Sequence, residues 1–394
     1  MNIMELIDIS KITTWRRHMH KFPEVSFKER ETSNYIAGEI TANFPDVTLM
    51  RWDNEKDCAL PNYGLVAVLK GGKPGKTLAM RADFDALPMN EDTDLDFKSV
   101  YDNAAHTCGH DCHAAMLLGA MDALYKIKDD LCGTILFVFQ HAEESLPGGA
   151  QAIIDTGVFK DFDVSAFYSA HVFPETAVGT VKFSPGPVTA NTDTCRIEIQ
   201  GKGGHGSTPD KCIDSLLVGT EVVQALNFIV SRYISAFDNA VITVGRFSAG
   251  TAANIIPDKA EIAVTIRSMK PDVRDLIEKK VHEIANDICK AYGATCQIQY
   301  TRGYTSITND AALCETFRGI VAEALPNVNV EGAEPLMGGE DFSAYQSIAP
   351  TLFVGLGAMP ASGEYYINHH PKFIVNEDVL PIGTALYVAF ATKA

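Results

Sequence analysis

The chain lacks the features that mark membrane, nucleic-acid-binding and secreted proteins. Among its 394 residues, 50 Asp and Glu outnumber 33 Lys and Arg, which gives a formal net charge of −17. Because an acidic surface repels nucleic acid and anionic lipid, we expect neither as a partner. No apolar run approaches the roughly 20 residues of a membrane-spanning helix. The N-terminal stretch predicts a helix without a signal-peptide core.

The sequence also lacks a pattern of cysteines that predicts a disulfide framework. Its nine cysteines are odd in number and scattered along the chain. This pattern predicts a protein of the reducing cytoplasm. The sequence has no internal repeat or low-complexity tract, so we expect a soluble, intracellular, acidic enzyme. Six cysteines without metal-type neighbours are interpreted as small packing residues: Cys58, Cys132, Cys195, Cys289, Cys296 and Cys314.

What the sequence does contain predicts two domains, as a chain of this length requires. Residues 1–187 and 303–394 alternate short apolar strands with helices, which is typical of an α/β domain with a largely parallel sheet covered on both faces. Residues 188–302 follow the order β-α-β-β-α-β of a ferredoxin-like unit. The prolines of "SPGPVTANTD" (184–193) mark the first boundary. We therefore predict a discontinuous α/β domain with an inserted ferredoxin-like domain.

Side chains of metal-binding type follow each strand predicted in the α/β domain. They are Asp83 and Asp85, then His141, Glu143 and Glu144, then His171, and after a loop His369 and His370. Cys108 and His110 lie in the loop that opens a helix predicted from His113. Because ligands of open α/β sheets bind at the carboxyl ends of strands, we expect these residues to meet at one edge.

A thiol, imidazoles and carboxylates in one cluster are typical of hydrolysis by metal-activated water. Two cations polarise a carbonyl and activate a water molecule, and a carboxylate that does not bind the metals takes its proton. A thiolate is able to bridge two cations. The adjacent glutamates of "HAEE" offer both a ligand and a base.

Each feature also has a simpler explanation. "CGHDCH" is typical of half a structural zinc site, but the sequence has no second Cys/His pair at a suitable spacing to complete a tetrahedron. Paired glutamates are often a solvated turn, although their position after an apolar strand favours a functional role. His171 fits a hydrogen-bonded core histidine as well as a metal ligand.

Eight motifs occur in the order found in the M20 metallopeptidase family: "RADFDALP", "HTCGHDCHAAMLLGA", "QHAEE", "AHVFP", "GKGGHGSTP", "TAANIIPD", "MGGEDF" and "NHHPKF". Over nearly its whole length the chain resembles the amidohydrolase branch of that family, which contains hippurate hydrolases, auxin-conjugate hydrolases and N-acetyl-diaminopimelate deacetylases. The resemblance implies an enzyme that cleaves the amide of N-acyl amino acids, with a carboxypeptidase or dipeptidase acting on short peptides as the alternative. It also implies two divalent cations per subunit, and the mixed nitrogen, oxygen and sulfur ligands suit Zn, Mn, Ni or Co.

The resemblance assigns roles to the candidate residues. It implies Glu143 as the general base and Asp85 as a residue that orients a ligand. Asp83 departs from relatives outside the branch, which carry a histidine ligand there. The implied metal ligands are Cys108 as the bridge, His110, Glu144, His171 and His369, with His370 as the alternative to the last.

The inserted domain resembles the family's lid and dimerisation domain, which implies a homodimer, with a tetramer as the alternative. The resemblance implies that His205 reaches a substrate carbonyl oxygen in the partner's site. Asn254 and Arg267 match residues that contact the substrate's carboxylate end or the developing oxyanion, and Glu340 matches a substrate-side loop residue. Asp210 departs from the family, whose members usually have a histidine after this proline.

Two other classes of protein remain as alternatives. A cysteine hydrolase would use Cys108 with His110 or His113, but it leaves Glu144, His171 and His369 without a role. A non-catalytic binding protein on the same scaffold is disfavoured, because the base and ligand positions are all filled.

Overall fold

The computed structural model describes residues 2–52 and 60–394, so Cys58 lies outside the described part of the chain. By its internal contacts the chain forms two compact units. The first comprises Met1–Val188, Ile307–Glu334 and Asp341–Ala394, and the second comprises Thr189–Ser306 and Pro335–Glu340. The sequence assigned 335–340 to the larger domain. This segment joins the second unit because the Ala190 amide donates a hydrogen bond to the Gly338 carbonyl (2.9 Å).

The described residues contain eight α-helices and four short 3-10 helices, the latter at Ile3–Leu6, Val158–Asp161, Pro209–Lys211 and Asp341–Ser347. None of the helices in residues 2–52 and 60–394 is long and apolar enough to cross a membrane. The α-helices are α1 (Ile9–Lys21), α2 (Arg30–Asn43), α3 (His110–Lys126), α4 (Gly149–Asp155), α5 (Ser215–Tyr233), α6 (Pro271–Ala291), α7 (Ala311–Ala324) and α8 (Val379–Lys393).

Sixteen strands lie in the same residues. In the first unit they are β1 (Thr48–Arg51), β2 (Leu65–Lys70), β3 (Lys73–Asp83), β4 (Cys132–Gln140), β5 (Val164–Phe173), β6 (Thr180–Lys182) and β7 (Gly186–Pro187), and further along the chain β14 (Thr308–Asn309), β15 (Asn329–Glu331) and β16 (Thr351–Gly357). Those of the second unit are β8 (Asn191–Gln200), β9 (Gly204–His205), β10 (Ala240–Ala249), β11 (Ile255–Ile256), β12 (Lys259–Ser268) and β13 (Thr295–Arg302).

The first unit is built on a sheet in the order β1-β2-β4-β3-β5-β16-β14-β7, in which β4, β3, β5 and β16 are parallel neighbours. Both faces of this sheet are covered. Leu65, Ala67 and Leu69 of β2 belong to one apolar core, while Val66 and Val68 belong to another. Because successive strand side chains point to opposite faces, the apolar run of β2 fits a sheet buried on both sides. The predicted α/β fold with a largely parallel central sheet is confirmed.

The second unit has an antiparallel sheet in the order β10-β12-β8-β13, and its elements follow one another as β8-α5-β10-β12-α6-β13. Burial alternates residue by residue along β8. One face of the sheet therefore packs on an apolar core while the other does not. Asp214 caps α5, because its carboxylate accepts the amide hydrogens of Leu216 and Leu217 (3.0 and 3.2 Å).

Among the six cysteines interpreted as packing residues, three are buried. Cys195, Cys289 and Cys314 are buried and Cys296 is half-buried. The interpretation is wrong for Cys132, which is exposed because it is the first residue of β4, where the strand begins at the surface.

A buried ion pair joins α6 to β8 in the second unit. Arg274 Nε donates to both carboxylate oxygens of Asp193 (3.1 and 3.0 Å), and the two residues are 5% and 2% exposed. Because a carboxylate left unpaired in a protein interior is costly, Arg274→Met is expected to lower the free energy of unfolding by about 3–5 kcal/mol. Urea denaturation of the purified variant measures this loss.

Arg302 provides the matched control. It also pairs with carboxylates, those of Asp275 (2.7 Å) and Glu278, but on the surface, where its side chain is 46% exposed. Solvent screening limits such pairs, so Arg302→Met is expected to cost about 0–1 kcal/mol. Equal losses in the two variants would contradict the argument from burial.

Candidate metal centre

The parallel strands of the first unit bring the predicted residues to one edge of the sheet. Asp83 at the end of β3 pairs in register with Gln140 at the end of β4, so the segments after these strands begin side by side. His171 pairs with Gly355 of β16. The sequence placed His171 after its strand, but β5 extends to Phe173 and His171 lies inside it.

Cys108 and His110 reach this edge through the start of α3. The helix begins at His110, three residues earlier than predicted, and Gly109 precedes it in the left-handed conformation (φ +89°). A Cβ atom at residue 109 would lie 2.4 Å from Val172 Cγ2, so only glycine fits there. The helix N-terminus also favours negative charge, which suits a thiolate at Cys108.

One group of potential ligands comprises Cys108, His110 and His171, whose ligand atoms all lie within 4.8 Å of one another. Cys108 Sγ is 3.5 Å from His171 Nε2. His171 Nδ1 lies 3.0 Å from the Val172 carbonyl, so it carries the proton and Nε2 keeps its lone pair. Burial and the charge of His113 hold the pKa of His171 well below its usual value, as a neutral ligand requires.

A second group comprises Cys108, Glu144 and His369, again with ligand atoms within 4.8 Å. His369 Nε2 lies 3.1 Å from Glu144 Oε1. His370 is oriented differently: its ring stacks on Tyr366 with 4.5 Å between centroids. The geometry therefore distinguishes the adjacent histidines in favour of His369. Cys108 is common to both groups, which is the arrangement that a bridging thiolate needs.

Asp85 connects the ligand groups. Its Oδ1 lies 3.1 Å from His110 Nδ1, and its Oδ2 accepts hydrogen bonds from Ser26 Oγ (2.7 Å) and the Glu144 amide (3.0 Å). Because His110 contacts Asp85 through Nδ1, its other ring nitrogen, Nε2, is directed towards the other potential ligands. Glu143 lies in a third group with His110 and Glu144. It is absent from the two groups that share Cys108, which fits a base better than a principal ligand.

The site favours added positive charge. Burial alone lowers the pKa of His110, but the charges of Asp83 and Cys108 outweigh it and raise that pKa well above its usual value. Hydrogen bonds to Cys108 and Glu144 raise the pKa of His369 to about 10. Burial and the charge of Glu144 raise the pKa of the Cys108 thiol. Cations bound among these groups would stabilise the thiolate and the carboxylate together.

These residues fit divalent metal ions. The donor set mixes imidazole nitrogen, carboxylate oxygen and thiolate sulfur, which suits Zn, Mn, Ni or Co. His110 Nε2 is buried and has no hydrogen-bond partner in the described part of the chain. A buried polar atom without a partner is costly. A metal bound at His110 Nε2 would satisfy it.

Sequence reasoning missed the supporting contacts that Asp83, His113 and Asn368 make in the site. Asp83 Oδ1 lies 2.6 Å from His113 Nδ1, and His113 Nε2 accepts the Val172 amide hydrogen (3.0 Å). Both ring nitrogens of His113 are therefore occupied, which argues against its use as the base of a cysteine hydrolase. Asn368 donates to the Cys108 carbonyl (3.1 Å). In the sequence, the signal for such a role was the position of Asn368 directly before His369 and His370.

Four predicted residues belong to the second unit. His205 in β9 pairs with Ile255 of β11, and the Asn254 carbonyl accepts the Gly206 amide hydrogen (2.9 Å), so His205 and Asn254 lie in one small ribbon. Arg267 lies in β12, outside that ribbon, and Glu340 ends the segment Pro335–Glu340.

Comparisons with known proteins agree with this chemistry. The chain is 34% identical to N-acetylcysteine deacetylase of Bacillus subtilis, covering 97% of this chain and 96% of that protein. It is 36% identical to thermostable carboxypeptidase 1 of Saccharolobus solfataricus, covering 100% and 99%. The crystal structure of the YXEP protein of Bacillus subtilis, a dinuclear metal binding peptidase from the M20 family, superposes with a TM-score of 0.83 at 30% identity, covering 98% and 97%.

The family model "Peptidase family M20/M25/M40" matches residues 79–393, which include both the metal-type cluster and the second unit. The sequence-based resemblance is confirmed, and the chain belongs to peptidase family M20/M25/M40.

Proposed function

We propose that this protein is a two-metal amidohydrolase that cleaves the amide bond of N-acyl amino acids and releases an acid and an amine. The observation that carries the proposal is the sharing of Cys108 by two groups of ligand atoms at one sheet edge. One cation would be held by Cys108, His110 and His171, and the other by Cys108, Glu144 and His369.

When bound, the cations would polarise the scissile carbonyl and lower the pKa of a water molecule. Glu143 takes the proton of the attacking water and returns it to the leaving nitrogen. Asp85 orients His110 through the contact at Nδ1 (3.1 Å) and holds the Glu144 amide (3.0 Å). The carboxylate of Asp85 thus keeps a ligand of each group in place.

His205 is proposed to bind the oxygen of the substrate carbonyl. Its Nδ1 accepts the Ser207 amide hydrogen (3.1 Å), so Nε2 carries the proton and is available as a donor. A neutral N–H donor stabilises negative charge that develops on a tetrahedral oxygen. We further propose that the second unit, predicted at 188–302, is a lid and dimerisation domain and that His205 serves the partner subunit's site.

Arg267, Asn254 and Glu340 are proposed to contact the substrate. One terminal nitrogen of Arg267 is bound to Thr265 Oγ1 and the Ile266 carbonyl (both 2.8 Å). A guanidinium has five N–H donors, so Arg267 retains others for a carboxylate such as that of an amino acid product.

We infer a cytoplasmic location. The eight cysteines in the described residues are all free. Free thiols fit a reducing compartment, whereas secreted proteins commonly use disulfides.

A panel of N-acetyl amino acids, N-benzoyl amino acids and dipeptides tests the proposed function. We expect enzyme reconstituted with Zn, Mn, Ni or Co to hydrolyse N-acyl amino acids with a higher kcat/KM than dipeptides. The dipeptides are included because one relative is named a carboxypeptidase. Glu143→Gln enzyme, purified in parallel, controls for contaminating hydrolases. Higher kcat/KM for dipeptides would favour a peptidase, and no hydrolysis of any substrate would refute the proposal.

Mixing two inactive variants tests the role of His205. If His205 completes the partner's site, equal amounts of Glu143→Gln and His205→Ala enzyme under subunit exchange form hybrids in about half of the dimers. Each hybrid has one site with both residues intact, so about a quarter of wild-type activity should return. Verified exchange without recovered activity would show that His205 acts within its own chain or not at all.

A pair of substitutions at Cys108 distinguishes a ligand from a nucleophile. Cys108→Asp is expected to keep partial activity, because a carboxylate can also bridge two cations, whereas Cys108→Ala should be inactive. Mass spectrometry of wild-type enzyme during turnover should detect no acyl group on Cys108. An acylated Cys108 would favour the cysteine hydrolase instead.

A further inference from the structure

The turn that carries Glu143 has an unusual backbone conformation. We call residues His141–Glu144 the glutamate turn. Within it Ala142 has a φ of +50°, in the left-handed region that side chains other than glycine rarely adopt. Such a conformation persists only where the surrounding structure enforces it.

Glu29 makes a buried hydrogen bond to this turn. Its side chain is fully buried, and its Oε1 accepts the Ala142 amide hydrogen at 2.7 Å. The two residues are 113 positions apart in the sequence. A buried carboxyl group needs such a partner because leaving water is costly.

The position of Glu29 makes this contact unexpected. Glu29 is the N-cap residue of α2, where a side chain ordinarily accepts an amide hydrogen of its own helix, yet its side chain makes no capping hydrogen bond. Glu24 takes that role, because its Oε2 accepts the amide and hydroxyl hydrogens of Thr32 (2.7 and 2.9 Å). The Glu29 carboxyl is thereby left for the glutamate turn.

The backbone is held on both sides of Glu143. Glu29 binds the amide of Ala142, and Asp85 Oδ2 binds the amide of Glu144 at 3.0 Å. The Ala142 carbonyl accepts the Gly149 amide hydrogen at 3.1 Å. Since the peptide groups before and after Glu143 are both fixed, the direction of its Cα–Cβ bond is fixed as well.

We propose that Glu29 is a positioning residue for Glu143, holding Ala142 in the left-handed conformation so that the base points at the attacking water. This inference rests on the proposed function for the role of Glu143. Phe27 supports the same contact, since its ring packs edge-on against His141 with 5.9 Å between centroids.

The Gln variant is the appropriate conservative change. Burial and the nearby charge of Asp85 raise the pKa of Glu29 well above its usual value, so Glu29 takes its neutral form more readily than an exposed glutamate. An amide oxygen accepts the Ala142 hydrogen as a neutral carboxyl does. Methionine fills a similar volume but has no comparable acceptor.

Hydrogen exchange of the full-length protein tests the contact without substrate turnover. In Glu29→Met the Ala142 amide should exchange at least about tenfold faster than in wild type, because a buried hydrogen bond is lost. Glu29→Gln should keep the wild-type rate. Glu24→Met is the matched control: it removes the glutamate acceptor five residues before Glu29 in the same loop and should leave Ala142 protected.

Kinetics then test the positioning. Glu29→Met should lower kcat by about 10²-fold, the loss typical of a slightly misplaced catalytic group, with KM and metal content close to wild type. Glu29→Gln should recover most of kcat, and Glu24→Met should lower the Tm without this loss of kcat. If Glu29→Met does not fold, Glu29→Asp, whose carboxyl is one methylene too short, should show the same effects.

The possible failures are distinguishable. An inactive wild-type enzyme would refute the proposed function. With an active wild type, the positioning role is refuted by unchanged kcat or unchanged Ala142 exchange in Glu29→Met, by a loss fully explained by lost metal, or by no recovery in Glu29→Gln.

Discussion

Glu143→Gln is expected to lower kcat by about 10²–10⁴-fold, the usual contribution of a general base, while the enzyme keeps its metal ions. The amide of glutamine occupies the same space but cannot accept the proton of the attacking water. Because Glu143 is absent from the two ligand groups that share Cys108, metal content should remain at the wild-type value. Steady-state kinetics and elemental analysis of the same preparation measure both quantities.

Glu144→Gln is the matched control, since it makes the same chemical change at the adjacent residue. Glu144 lies 3.1 Å from His369 and belongs to a group with Cys108. This variant should therefore lose metal together with activity. If the two variants exchange phenotypes, the roles of base and ligand are assigned to the wrong glutamates.

Removal of metal by a strong chelator should lower activity by about 10³-fold or more, because the stabilisation that metal ions give to the transition state is several kcal/mol. Adding Zn, Mn, Ni or Co to the chelated enzyme should restore activity, and the most effective ion would identify the metal. The Tm should also fall on chelation, since ions that bind only the folded state stabilise it.

The Glu143→Gln enzyme again supplies the control. It should respond to chelation in its Tm but regain no activity when metal is added. Undiminished activity in wild-type protein shown by elemental analysis to be free of metal would overturn the two-metal proposal and favour a cysteine hydrolase.

The sequence by itself determined the α/β fold and the edge of the sheet at which the chemistry is concentrated. The apolar run of β2 and the alternation in β8 are local patterns, set by the two-residue period of a strand. Asp85, Glu143 and Glu144 follow the ends of β3 and β4 by two to four residues, and parallel strands end at the same edge. A local pattern combined with this general rule was therefore sufficient to bring these residues together.

The sequence was less informative about boundaries and neighbours. It started α3 at His113 instead of His110, because Gly109 interrupts the apolar pattern although it fits as an N-cap. It left His369 and His370 unresolved. Identical adjacent side chains differ only in the space around them, and the stacking of His370 on Tyr366 is a tertiary contact.

Only the tertiary structure decided which side chains hold the site in place. Glu29 and Ala142 are 113 residues apart, and Ser26 and Asp85 are 59 apart. Sequence periodicity carries no information about hydrogen bonds over such separations, because these depend on how loops from different elements pack. The left-handed conformation of Ala142 could not be read from an alanine, which has no intrinsic preference for it. The sequence thus determined the candidate ligands by residue type, whereas their orientation depended on contacts formed only in the folded chain.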